Sequence, residues 1–448
     1  VFGSKIHTLM NIIPGLGRRH YAESMTLGNL SNRNPIRLSG LLALFLLVGP
    51  GTLAGFSMLL AHAGIALPLQ LPQPATHAKI QLVGFFLVLI WGFLVHGLSG
   101  MLGADTKHTK RVNPWLAITS IILFALWIAE SLGAGHDILR YLNGALLVAI
   151  TAGSTILVVA GLRGTHRWSE PPFPMLMIPL AVPPPAALLW YLDTPALNAA
   201  AGQLMLWGCI TPIILAMGYR MFSSMVRMRF PHERIFSQAS LIWGAGVVLL
   251  AASTAGAPLS SLWGRIAIAA ASLGFLIALR VFEPVRTPDG KAKHVAVDAS
   301  LRRHIRVGSF FFLASAAIFA LSPTELLPGA PFYWDDAARH FLAIGFCLIL
   351  VSGITQRLFP SFLRARASSA RWMDGTLILF AAGVTLRLAE PFLPEAAPWV
   401  AASAILLYAG VLGYALQVAL PLLRSGKAAA SRVERIRRDQ NVERCSPG

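Results

Sequence analysis

The stretch Arg339–Arg366, RHFLAIGFCLILVSGITQRLFPSFLRAR, decides how this chain is read. It is an apolar run long enough to cross a bilayer, with a histidine at its front and arginines at its back. A histidine in hydrocarbon is costly unless it is solvated, paired or ligating. The stretch also recurs. Gln203–Arg229, QLMLWGCITPIILAMGYRMFSSMVRMR, aligns with it without a gap. Gly208 falls on Gly345, Arg220 on Arg357, Phe222 on Phe359, Ser224 on Ser361, Arg227 on Arg364 and Arg229 on Arg366.

A weaker third copy starts at Lys79, KIQLVGFFLVLIWGFLVHGLSGML. Gly84 takes the Gly208 and Gly345 slot, and His96 takes the Arg220 and Arg357 slot. The likeness reaches the following helix, where LWIAES from Leu126 matches LRLAEP from Leu386. The spacing predicts three units of roughly 125–135 residues, and internal repeats are read before anything else in a membrane architecture.

The totals agree. The 448 residues are 55% hydrophobic and only 12% charged, about half the charge fraction of a soluble globular protein. Mean hydropathy is +0.64. Apolar runs of membrane-spanning length recur throughout, so the fold class is an all-α polytopic membrane protein with about twelve spanning helices. Their expected centres lie near Leu47, Leu89, Ile122, Val148, Leu180, Pro212, Val247, Ala271, Leu313, Leu350, Phe380 and Leu407. The formal charge of +18 does not indicate nucleic acid. Its Lys and Arg sit in short loops on alternate sides of apolar runs, and no basic patch carries interleaved aromatics for base stacking.

Those loops set the sidedness. Asp105–Arg111, Arg163–Arg167, Arg227–Arg234, Lys291–Arg306 and Arg364–Arg371 are basic and are every second connection. By the positive-inside rule they face the cytoplasm, with both termini inside, as in a multi-pass protein of the bacterial inner membrane. The intervening connections carry acids such as Asp193, Glu325, Asp335, Asp336 and Glu395. Residues 1–36 read as a cytoplasmic lead-in without a secretory h-region, 37–425 as the transmembrane domain, and 426–448 as a basic cytoplasmic tail. The run Pro183–Pro185 predicts a break in the fifth helix. Cys209 and Cys347 lie inside apolar runs, away from any CxxC spacing, and read as small buried hydrophobes.

Chemistry concentrates at two depths. His77 opens the second helix and His340 the tenth, His62 closes the first, and His136 lies between the third and fourth, all toward the outer side. Imidazole suits haem iron, copper and zinc: two from different helices bracket a haem, and three hold copper. Equally, histidines at membrane edges are often only solvated. His96 lies deeper, as a ligand or as a hydrogen-bonded group within the bundle. Arg220 and Arg357 lie toward the inner side, either snorkelling or pairing with haem propionates or another anion. Arg387 and Glu390, three apart, share a face as an ion pair. Glu130, in the matching slot of the third helix, is a candidate proton site. The run Tyr333–Asp336 reads as an aromatic anchor with an exposed turn, and either aspartate is placed to orient the His340 ring. Walker, HExxH, GxSxG, dinucleotide and CxxCH signatures are absent from the sequence.

These residues resemble the NnrS family, twelve-helix membrane proteins linked to nitric oxide stress and denitrification and described as binding haem and copper. HAKIQLVGF, from His77 to Phe85, is similar to the family's HAHEMLFGF at His77, Gly84 and Phe85. Gly218-Tyr219-Arg220 resembles its Gly-Arg step, and His340, Gly345, Gly353 and Arg357 its late H-A-L-x-x-G-x(7)-G-x-x-x-R pattern. Leu386-Arg387-Leu388 resembles its L-R-[VL] step. Lys79 and Ile80 replace the second His and the Glu of the family motif, and SFLRARASS stands where the family has a His-Thr-Gly-Arg-like segment.

The resemblance implies an integral membrane protein carrying haem b, copper or both, with nitric oxide as its small-molecule partner. His77 and His340 would be ligands, and His96, Arg220 and Arg357 cofactor-binding residues. Three units of four helices are also similar to the arrangement of haem–copper oxidases. The departures motivate a second expectation, a non-catalytic subunit or scaffold of a larger membrane complex whose metal site has decayed. A secondary transporter is the third, weakened because the units are odd in number and begin on the same side.

Overall fold

The computed structural model describes residues 35–65, 74–92, 112–132, 137–162, 172–192, 194–226, 228–254, 258–284, 295–324, 326–327, 331–362, 368–389, 392 and 396–445, and no strand occurs among them. In chain order the helices are α1 (35–62), α2 (74–92), α3 (Val112–Ser131), α4 (Asp137–Leu162), α5 (172–192), α6 (195–225) and α7 (Glu233–Ser253). They continue as α8 (Pro258–Leu279), α9 (Val295–Leu321), α10 (331–362), α11 (Ala370–Ala389) and α12 (Ala396–Cys445). Among the described residues, nine helices are long and apolar enough to cross a membrane. Helices α3 and α4 add shorter apolar stretches, Trp115–Ala129 and Gly144–Gly153.

Proline punctuates the chain as its covalent geometry dictates. Pro35, Pro74, Pro172, Pro183, Pro195, Pro258 and Pro331 each open a helical segment, where the missing N–H costs nothing. Thr194 caps α6, its hydroxyl accepting from the Leu197 N–H at 3.3 Å. The break expected in the fifth helix falls at Val182, immediately before the proline run.

Among the described residues, four helices carry a π-helical segment: Leu47–Gly51 in α1, Ile80–Leu87 in α2, Leu204–Ile210 in α6 and Phe341–Leu348 in α10. Such widened turns are rare and cluster at functional sites. The last three occupy one register in the ungapped alignment of the three copies, each beginning one residue after Lys79, Gln203 or His340.

The π segments are also the centre of the packing. Those of α2 and α6 touch, as do those of α6 and α10. Each packs on two flanking helices, α2 on α1 and α3, α6 on α5 and α7, and α10 on α9 and α11. Helix α4 packs on α5, α8 on α9, and α12 returns to α1, so the bundle closes on itself. Aromatics fill the interior around α6: Trp207 stacks on Phe319 at 4.8 Å, and the Trp243 indole N–H donates to the Trp207 carbonyl at 2.9 Å.

Glycine in the π segments permits this approach. A Cβ on Gly84 would stand 2.9 Å from Leu46 of α1, on Gly208 3.0 Å from Val182 of α5, and on Gly345 2.7 Å from the Phe311 ring of α9. At Gly345 the obstructing atoms are Cβ and Cγ, the rigid root of a buried side chain whose ring meets Phe341 edge-on at 5.2 Å. Gly345→Ala is therefore expected to destabilise by about 1–3 kcal/mol through overpacking, outweighing the about 1 kcal/mol that alanine gains in helix propensity. Thermal unfolding in detergent checks this, and a stabilised variant would contradict the packing.

Two expectations are corrected. The basic stretch Lys291–Arg306, read as a loop, is helical from Val295 onward, the first turns of α9. There Arg303 pairs with Asp374 of α11 and Arg306 donates to the Val281 and Glu283 carbonyls, so the charges tie helices together. Asp335 and Asp336 do not lie on an exposed turn. They belong to the first turns of α10 and are held by arginines of neighbouring helices. The basic tail is helical, since α12 runs unbroken through it to Cys445. Residues 1–34, the loop 105–111, His96, His136 and Glu390 lie outside the described residues.

Candidate functional site

At the end of the bundle where α1 finishes and α2, α6 and α10 begin, a cavity of about 840 Å³ lies among α1, α2, α6, α10, α11 and α12. Its wall is mainly apolar, and its polar groups converge from sequence positions up to 356 residues apart, Thr52 to Tyr408. The size falls within the usual range of small-molecule and cofactor sites, roughly 300–1,000 Å³. His77 and His340, the two candidate ligands, both line it.

His77 sits in the first turns of α2, three residues after Pro74. Its Nδ1 lies 3.0 Å from the carbonyl oxygen of Gly51, the last residue of the α1 π segment. Gly55, one turn further on α1, makes room for the ring; a Cβ there would stand 2.8 Å from His77 Cε1. A carbonyl only accepts, so His77 Nδ1 carries the hydrogen and Nε2 holds the lone pair.

His340 is the last α-helical residue before the α10 π segment. Its Nδ1 lies 2.8 Å from the Asp336 carbonyl oxygen and 3.2 Å from Asp336 Oδ2. This is the same tautomer, again with Nε2 as the available donor atom. Asp336 is thus the orienting aspartate. Its carboxylate also accepts from Arg387 Nη2 of α11 at 2.7 Å and stands 3.7 Å from Arg339 Nη2. His77 lies within electrostatic reach of His340, Asp336 and Arg387. Two imidazoles, each tied at Nδ1 by a main-chain carbonyl, therefore share a mostly apolar cavity with an aspartate balanced by arginines.

The remaining candidates fall elsewhere. His62, in the last turn of α1, also lines the cavity. Arg220 and Arg357 are half-buried toward the other ends of α6 and α10, outside the cavity wall, in one register of the repeat. Lys79 and Ile80, the departures from the family motif, are buried but do not line the cavity. The expected Arg387–Glu390 pair lies outside the described residues; the structure also brings Arg387 to Asp336, 51 residues away, which no local spacing signals.

The donor set discriminates between cofactors. Among the described residues, no group of three His, Cys, Asp or Glu side chains is placed to hold a metal ion. A copper centre with three such ligands does not fit these residues. What the wall offers instead is the two imidazoles of His77 and His340 and the guanidinium groups of Arg339 and Arg387 in mostly apolar surroundings. No protein-family model and no curated protein matches the chain.

Proposed function

We propose that this chain is an integral membrane haem protein of the kind the NnrS resemblance implies, acting in nitric oxide response or denitrification. The observation that carries the reading is the placement of His77 and His340 in one cavity, each fixed by a carbonyl in the tautomer that presents Nε2. In this reading they would hold the haem iron, and Arg339 and Arg387 would hold the propionates. When bound, the haem would be redox-active, and it would take a diatomic ligand such as nitric oxide where one of the two imidazoles gives up its place. The chain's own residues do the rest: Gly51 and Asp336 orient the rings, and the apolar wall keeps bulk water from the cavity.

The proposed architecture is twelve spanning helices in three units of four, with both termini on the cytoplasmic side of a bacterial inner membrane. It is supported by the shared register of the π segments in α2, α6 and α10, by their equivalent flanking helices, and by the closure of α12 onto α1. The basic character of every second connection supports the sidedness.

Purified protein should show a Soret band and bound iron. His77→Ala with His340→Ala should abolish the band, while each single variant should shift it and raise haem loss. A Soret band that survives the double variant would remove both residues as ligands. Colourless, metal-free protein that co-purifies with a larger complex would favour a scaffold with a decayed site.

A further inference from the structure

A second polar site lies in the interior, between α9 and α10 and apart from the cavity. His304 is fully buried, within the span Ala299–Leu321. Its Nδ1 lies 2.9 Å from the Ser300 carbonyl oxygen, so Nδ1 donates and Nε2 holds the lone pair. That Nε2 is buried and meets no hydrogen-bond partner. The ring lies over Gly353 of α10, where a Cβ would stand 2.9 Å from His304 Cγ and 3.0 Å from Cδ2, the atom bonded to Nε2. Gln356 follows Gly353 by three residues and so projects from the same face of α10. It is 1% exposed, and both its amide oxygen and its amide nitrogen are buried without a partner.

Three unpartnered polar atoms on facing helices are not a tolerable dry arrangement, because buried polar groups in native proteins are nearly always bonded. The two side chains make no hydrogen bond to one another, and a bridging water is the ordinary way to satisfy such groups. A buried water makes about three hydrogen bonds, and these atoms offer two acceptors and an amide donor.

The site also connects outward. The Ser300 hydroxyl donates to Asp374 Oδ1 at 2.7 Å, and Asp374, 28% exposed, pairs with Arg303 near the beginnings of α9 and α11. We infer that His304 and Gln356 bind shared water inside the bundle, at the inner end of a polar track that starts at Asp374 and passes through Ser300.

Radiolytic hydroxyl labelling of the full chain in detergent, read by mass spectrometry, tests this directly. Radicals formed from bound water modify adjoining side chains even where bulk solvent is excluded. His304 should label several-fold faster than Phe312, an equally buried ring two turns further along α9. Gln356→Leu should bring His304 down toward the Phe312 rate. Should that variant not fold, Gln356→Met removes the same polar atoms from an unbranched chain. Equal labelling of His304 and Phe312 in the unmodified protein would overturn the site without need of any variant. Fast labelling unaffected by the loss of the Gln356 amide would overturn its being shared.

Discussion

Asp336→Ala is expected to be among the most destabilising single substitutions in the chain and to release His340 from its present orientation. The Asp336 carboxylate is 23% exposed and meets the Arg387 guanidinium, 17% exposed, at 2.7 Å. Breaking a buried pair from one side costs about 3–5 kcal/mol, here toward the lower figure because the groups retain some exposure. The substitution also removes one of two oxygens that hold His340 Nδ1. The main-chain oxygen of Asp336 remains, so the tautomer should survive while the ring loses restraint. Asp336→Asn should fall between, since it keeps an acceptor and loses the charge. Arg387→Met combined with Asp336→Ala should recover much of the loss, because the double change removes both charges together. Chemical and thermal unfolding in detergent measure all three. A loss below about 0.5 kcal/mol for Asp336→Ala, the range of an ordinary surface change, would mean that the pair is solvated.

What could be read in the sequence, and what could not, divides along the range of the signal. Helices came from apolar length, a local property, and every expected centre lies within a helix. The kinship of Arg339–Arg366 with Gln203–Arg229 was legible because an ungapped run of matched residues survives in the chain itself. The π segments were not legible, since a widened turn depends on what the neighbouring helix inserts, and Ile80–Leu87 as a string is simply apolar. His77 and His340 were selected by depth and resemblance, yet the features that seat them, the Gly51 carbonyl and the space at Gly55, belong to another helix. Asp335 and Asp336 were misplaced for the same reason. Two acids beside a predicted helix start look like solvated turn residues until the arginines at 265 and 387 are brought to them by the fold. His304 drew no notice, because a histidine amid the basic residues of Lys291–Arg306 carries no periodic signal.

The second large effect is expected at the neighbouring carboxylate, and its partner lies deeper. Arg265 of α8 is 8% exposed overall. Its Nη1 donates to Asp335 Oδ1 at 2.5 Å, to Ser322 Oγ at 2.6 Å and to the Phe319 carbonyl at 3.2 Å, and its Nη2 donates to Asp335 Oδ2 at 3.1 Å. The guanidinium also rests 4.4 Å over the Phe319 ring, which stacks in turn on Trp207 of the α6 π segment. Asp335→Ala strips the only carboxylate from this arrangement among the described residues and leaves the cation facing a ring, a hydroxyl and a carbonyl. The expected loss is about 3–5 kcal/mol, at the upper end because Arg265 has little solvent to turn to. Asp335→Asn should lose less, and Arg265→Met with Asp335→Leu should approach the parent stability, since a well-packed apolar pair replaces a desolvated ionic one.

The two aspartates are consecutive on a helix, so their side chains diverge by about 100°. One is held by α8 and α9, the other by α11, and together they clamp the turn that leads into the α10 π segment. Arg339 couples them, its Nε donating to the Asp335 carbonyl and its Nη2 facing Asp336. Losses at the two positions should therefore not add, and their combined cost should fall short of the sum of the singles. Strict additivity would show two independent surface pairs and no clamp. Hydrogen exchange at the amides of Phe341–Leu348 gives the complementary reading. Asp335→Ala should accelerate exchange in the π segment of α10 more than in that of α2, because only the former begins at the released turn.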